Sequence, residues 1–140
     1  MKLVFAFLLS FIGFSAIAQD SWKVCLDKKV LFNTSNEDEK KNVVTVSVAD
    51  LNKSKNFILS YNEISPQKEW ERTIQLYDVK DNELKKQKGK KFTLKASELK
   101  TLLNKYKTIK VYTLNSPTDP KLKARVRIRR VHLCTLILQE

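Results

Sequence analysis

Three kinds of side chain in this sequence are equipped for chemistry: one histidine, two cysteines and two runs of cations. His132 is flanked by Val131 and Leu133 in an apolar stretch. A Ser-His-Asp or Cys-His relay would have to use it, because the relay needs an imidazole base. Its apolar neighbours predict instead a structural histidine, hydrogen-bonded within a sheet. No catalytic residue is therefore assigned. The alternative is a small envelope enzyme using His132 or an acidic pair.

Cys25 and Cys134 lie near opposite ends of the chain, with no C-x-x-C motif. One histidine and two distant cysteines make a poor zinc set. In an exported chain the pair predicts a disulfide between terminal strands. A clasp closing a loop of about 100 residues stabilises by about 4–5 kcal/mol. Asp78, Asp81, Asn82 and Glu83 crowd one short stretch and could offer oxygens to calcium. They lack the spacing of a calcium loop, and turns select these residue types in any case. No metal is expected. Gly13 and Gly89 are the two glycines. Phosphate-cradling loops and dinucleotide fingerprints need several in one place, so no cofactor is expected.

The cations carry the remaining signal. The chain has 140 residues and a formal charge of +12. One cluster is Lys85, Lys86, Lys88, Lys90 and Lys91; the other is Arg125, Arg127 and Arg129, followed by Arg130. The bland reading is a solvated face with lysines guarding a sheet edge. The sharper one is an anion-binding surface, because guanidinium forks match carboxylate and phosphate. Arg125, Arg127, Arg129, Lys85, Lys86 and Lys88 are its candidate residues. Nucleic acid is disfavoured: single-strand binders interleave aromatics with charge, and Trp22, Trp70, Tyr77 and Tyr112 lie outside both clusters.

The first residues predict export. Lys2 precedes an apolar run from Leu3 to Phe14, and Ser15-Ala16-Ile17-Ala18 resembles a cleavage site before Gln19. The apolar run is shorter than the roughly 20 residues of a membrane span. Residues 1–18 are thus expected to be a cleaved signal peptide, and 19–140 a single domain in the periplasm or outside the cell. Losing Lys2 lowers the charge from +12 to +11.

Period-2 alternation marks the strands that must position these groups. Trp22, Val24 and Leu26 open the first, which resumes at Val30–Phe32. Val44, Val46 and Val48 share a face of the next, and Phe57, Leu59 and Tyr61 of a third. Residues 49–55 read as a connection that tucks in Leu51. Trp70–Asp78 directs Ile74 and Leu76 inward, with Glu71, Thr73 and Gln75 outward, then turns at Asp81-Asn82. Residues 83–91 form a basic edge strand broken at Gly89, and Phe92 and Leu94 mark a short strand. Leu99, Leu102, Leu103 and Tyr106 make one helical stripe over Ser97–Tyr106. A strand over Thr108–Leu114 and a proline-bearing loop over 115–123 follow. The last strand, Ala124–Leu138, would set three arginines on one face. Its parity fails beyond Arg129-Arg130, which predicts a bulge there.

About eight short strands and one inserted helix predict an all-β, antiparallel β-sandwich, with an α+β fold as the alternative. Pro117-Thr118-Asp119-Pro120, Arg125-Val126-Arg127, Arg130 to Leu136, Trp70-Glu71-Arg72-Thr73 and the Asp81 to Leu84 turn together resemble uncharacterised small exported proteins of the Bacteroidetes. The resemblance covers most of residues 19–140 and implies a bacterial envelope or secreted setting; it carries over no activity or site. The expectation is a non-enzymatic exported module whose basic surface meets an anionic envelope component, a polysaccharide or an acidic protein. A structural or inhibitory interaction protein without anion preference is the further alternative.

Overall fold

The computed structural model describes residues 18–140. The expected signal segment, save Ala18, lies outside them. Among these residues nine strands fill two sheets. β1 (Ser21–Leu26), β2 (Lys29–Thr34), β4 (Asn56–Asn62) and β7 (Lys91–Lys95) form one, in the order β2-β1-β4-β7. β3 (Val43–Ser47), β5 (Trp70–Tyr77), β6 (Glu83–Lys88), β8 (Thr108–Pro117) and β9 (Val131–Gln139) form the other, in the order β3-β9-β8-β5-β6. The chain is an all-β, sandwich-like fold. It is antiparallel except that β3 runs parallel to β9, a pairing no local pattern encodes.

The alternating residues meet between the sheets. Val24, Phe57, Leu59, Ile74, Leu76, Phe92, Ile109, Val111 and Leu136 are fully or almost fully buried in one core. Trp22 bridges it, its indole Nε1 donating to the Leu133 carbonyl at 2.8 Å. That bond pairs a buried donor that would otherwise be costly.

Among the described residues three short helices punctuate the strands. α1 (Val48–Lys53) occupies the stretch read as a connection. Ser47 Oγ accepts from Asp50 N, a cap that ends β3 and starts a helix in one step. α2 (Ala96–Tyr106) seats Leu99 and Leu103 in the core. α3 (Pro120–Lys123) is capped by Asp119, with Pro120 at its first turn.

α3 overturns the reading of 124–130 as strand. Ala124 N donates to Pro120 O, and Arg125 N and Val126 N to Leu122 O, so turns continue where a ladder was expected. Pairing begins only at Val131, opposite Thr113. Exposure still alternates, with Val126 and Ile128 half-buried between exposed Arg125, Arg127 and Arg129. The period-2 pattern thus describes which side chains meet solvent, and not a hydrogen-bonded strand. The bulge also lies further on. Val111 pairs with Cys134 and Tyr112 with His132, leaving Leu133 as the extra residue.

The disulfide is absent as well: Cys25 and Cys134 are both buried free thiols. Cys25 has the opposite parity to Trp22, Val24 and Leu26, and pairs laterally with Ile58 and half-exposed Val30, outside the core. Cys134 lies between the sheets. A disulfide needs Cβ vectors that converge, and here a sheet backbone separates them. Burial pushes the Cys134 thiol well above its ordinary pKa.

Candidate functional site

The outer face of the five-stranded sheet gathers the polar groups. Inner positions of β5 are Ile74 and Leu76, so Glu71, Thr73, Gln75 and Tyr77 point outward. The register sets Lys86, Gln75, Tyr112 and His132 in one row across β6, β5, β8 and β9. Lys88, Thr73 and Leu114 form the next row, and Glu71 lies opposite Ser116.

The segment between β8 and β9 reaches this face through Arg130 and Lys123. At one end Arg130 covers two tyrosines, its guanidinium 4.1 Å from the Tyr112 ring centre and 4.7 Å from that of Tyr77. Asp81 holds the same guanidinium at 2.9 Å. Arg129 turns the other way and pairs with Glu37. At the other end Lys123 joins Glu71, Thr73, Gln75, Lys86, Lys88, Leu114 and Ser116 around a groove of about 450 Å³.

His132 stands at the margin of the aromatic end. Its ring meets Tyr112 edge-on at 5.4 Å, and Nε2 lies 2.8 Å from Thr135 Oγ1. Burial holds its pKa below the ordinary value. Nδ1 is buried without a hydrogen-bond partner. An imidazole beside a hydroxyl has the make-up of a nucleophile–base pair, but no carboxylate orients the other nitrogen. The half-buried ring faces outward, whereas the sequence placed it in a stretch covered on both sides.

Of the six candidate cations, four already hold carboxylates. Arg129 pairs with Glu37, Lys85 with Glu98, Lys86 with Glu83 at 3.7 Å and Lys88 with Glu71 at 3.1 Å. Arg125 and Arg127 have no carboxylate within 4.0 Å among the described residues, and neither have Lys121 and Lys123 just before them. Four unpaired cations therefore follow one another on the 118–130 segment, where sequence reasoning passed over Lys121 and Lys123, while other unpaired lysines, Lys23, Lys28, Lys53 and Lys91 among them, are scattered over the rest of the surface. Asp119-Pro120 was the signal for Lys121 and Lys123, since it starts the turn that presents both lysines.

The acidic turn between β5 and β6 is engaged internally. Asp78 accepts from Lys80 N, Asn82 N and Asn82 Nδ2, all at 2.9 Å. These bonds hold its pKa below the ordinary value, that from the Asn82 side chain most strongly. Asp81 takes φ of +66°, as its place in the turn required, and pairs with Arg130. Among the described residues no three acid, histidine or cysteine side chains converge as metal ligands.

A second polar network closes one end of the core. Arg72 shares the parity of Ile74 and Leu76 and so points inward. It donates to Glu63 Oε1 at 2.6 Å and Thr113 Oγ1 at 3.0 Å, and lies 3.9 Å over the Tyr61 ring. Tyr61 stacks on Trp22 and donates to Asp20. The Arg72–Glu63 pair ties one sheet to the other.

No protein-family model, curated protein or solved structure matches this chain. Among the described residues no helix is long and apolar enough to cross a membrane.

Proposed function

We propose that the chain is an exported, non-enzymatic binding module that holds an anionic envelope component or acidic partner on the outer face of its five-stranded sheet. The observation that carries this reading is the run of exposed, unpaired cations Lys121, Lys123, Arg125 and Arg127, of which Lys123 lines the groove. They lie on a segment pinned at its far end by Arg129–Glu37 and Arg130–Asp81. Like charges held together repel, and a bound polyanion relieves that repulsion. The missing acid at His132 Nδ1 supports binding rather than catalysis. The resemblance to small exported proteins of the Bacteroidetes supports an envelope or secreted setting.

Fluorescence anisotropy with labelled polygalacturonate and polyglutamate tests the reading. Binding at 20 mM salt should weaken by about tenfold or more at 200 mM, because exposed charges are screened over roughly a Debye length. Absence of binding to either polyanion at low salt would remove the proposal.

A further inference from the structure

A cleft of about 570 Å³ between α1 and α2 gathers cations on another part of the molecule. Its charged lining residues are Lys55, Lys95 and Lys100, and no carboxylate joins them. The backbone sets the first two side by side. Ala96 N donates to Lys55 O at 2.9 Å, and Asn56 pairs with Lys95 where β4 meets β7. Lys100, on α2, donates to Asn52 Oδ1 at 2.7 Å. That bond occupies the acceptor of the Asn52 amide and leaves its NH2 group as a donor. Ser97 adds a hydroxyl to the lining. The acids of the surrounding elements are engaged elsewhere. Asp50 pairs with Lys29 and Glu98 with Lys85, and the oxygens of Asp27 accept from the backbone at Lys55 N and Asn56 N. Among the described residues none of the three lysines has a carboxylate within 4.0 Å of its ammonium.

We infer that this cleft binds a phosphate monoester, at a site that shares no residue with the outer face of the larger sheet. Ammoniums held together without an acid repel one another, and a dianion offsets them better than a single charge. A phosphate monoester carries nearly two negative charges and three terminal acceptor oxygens at neutral pH. Those oxygens suit a lining made of donors: the ammoniums of Lys55, Lys95 and Lys100, the Asn52 amide and the Ser97 hydroxyl. A carboxylate brings one charge and two oxygens, and a phosphodiester likewise one charge and two free oxygens, so either leaves donors unmet. The volume lies within the range of small-molecule sites. Lys55, Lys95 and Ser97 are exposed, so the phosphate of a soluble ester or of a lipid headgroup can reach them.

Calorimetric titration of the full chain, in phosphate-free buffer at low salt, compares glucose 6-phosphate, glucuronate and dimethyl phosphate. Glucose 6-phosphate should bind at least about fivefold tighter than either, the worth of one further charge contact. The double variant Lys55→Gln, Lys95→Gln changes two exposed side chains and should weaken it by about tenfold. Lys121→Gln with Lys123→Gln removes the same charge from the outer face and should stay within about threefold of wild type, since distant surface charges are screened. Flotation with phosphatidic acid vesicles, against phosphatidylglycerol vesicles, separates the sources of the phosphate. Retention on phosphatidic acid that the Lys55, Lys95 variant loses assigns a lipid headgroup, and glucose 6-phosphate binding without such retention assigns a soluble ester. If glucuronate or dimethyl phosphate binds as tightly as glucose 6-phosphate, or if both double variants weaken it equally, the phosphate site is overturned. The polyanion reading of the outer face rests on other residues and stands or falls by its own anisotropy test.

Discussion

Arg72 and Glu63 are the pair whose loss the fold should feel most. Their side chains are 10 % and 9 % exposed, so removing Glu63 leaves the Arg72 charge stranded at the edge of the core. Glu63→Ala should cost about 3 kcal/mol, because a broken buried pair leaves its partner uncompensated. Arg72→Met should cost less, since Lys90 at 3.7 Å remains to pair with Glu63 and the methionine keeps packing against Tyr61. Chemical denaturation of both variants checks the order; equal or reversed losses would contradict a buried pair. His132 carries a pH signature. Its folded pKa is depressed by burial, so below about pH 6.5 the unfolded chain takes the proton first. The stabilisation is complete above that value and is lost as pH falls through the folded pKa. The step between pH 7.5 and 5 should flatten in His132→Gln. A variant with the same pH dependence as wild type would show that His132 does not contribute it.

α2 begins at Ala96 with Lys95 in extended conformation as its cap, and no side-chain oxygen accepts from the first turn. Lys95→Asp should therefore stabilise by about 0.5–1 kcal/mol, read as a melting temperature raised by a few degrees. No change would mean that the first turn is already satisfied. Gly89 works in the opposite sense. It carries the chain from β6 toward β7 at φ of +107°, with open space around the position of a Cβ. Gly89→Ala should cost about 1 kcal/mol through the backbone alone. These elements also mark what local sequence can express. Alternation placed β4, β5 and β8 and the inward Ile74 and Leu76 because a two-sided strand writes its faces into its residues. The same parity implied an inward Arg72, but a charge there is legible only once Glu63 is known to be near. α1 was readable in Ser47 and Asp50, whose cap spacing outweighs a valine-rich start. The run from Arg125 to Arg129 misled because alternation records exposure, and a ladder also needs a partner strand. That partner, like the parallel β3–β9 pairing and the separation of Cys25 from Cys134, is fixed by contacts between residues far apart in sequence.

The sandwich leaves the two ends of its cationic surface in different states. Along β6 the lysines are tied to Glu98, Glu83 and Glu71, which guards an edge strand without leaving charge unanswered. Over the outer face of the larger sheet, Lys121, Lys123, Arg125 and Arg127 stay open to solvent. A formal charge of +12 gives any such protein some attraction for polyanions. A localised site on the 118–130 segment predicts more than that. Two quadruple glutamine variants with the same loss of charge separate the possibilities, one at Lys121, Lys123, Arg125 and Arg127, the other at the exposed Lys23, Lys28, Lys53 and Lys91 around the smaller sheet and α1. The measurement is the dissociation constant for polygalacturonate at 50 mM salt, with melting temperature as the control for folding. The first variant should bind at least about tenfold more weakly, and the second within about threefold of wild type, since distant surface charges are screened at this salt. Equal weakening in both variants would contradict the account and leave only the attraction of net charge.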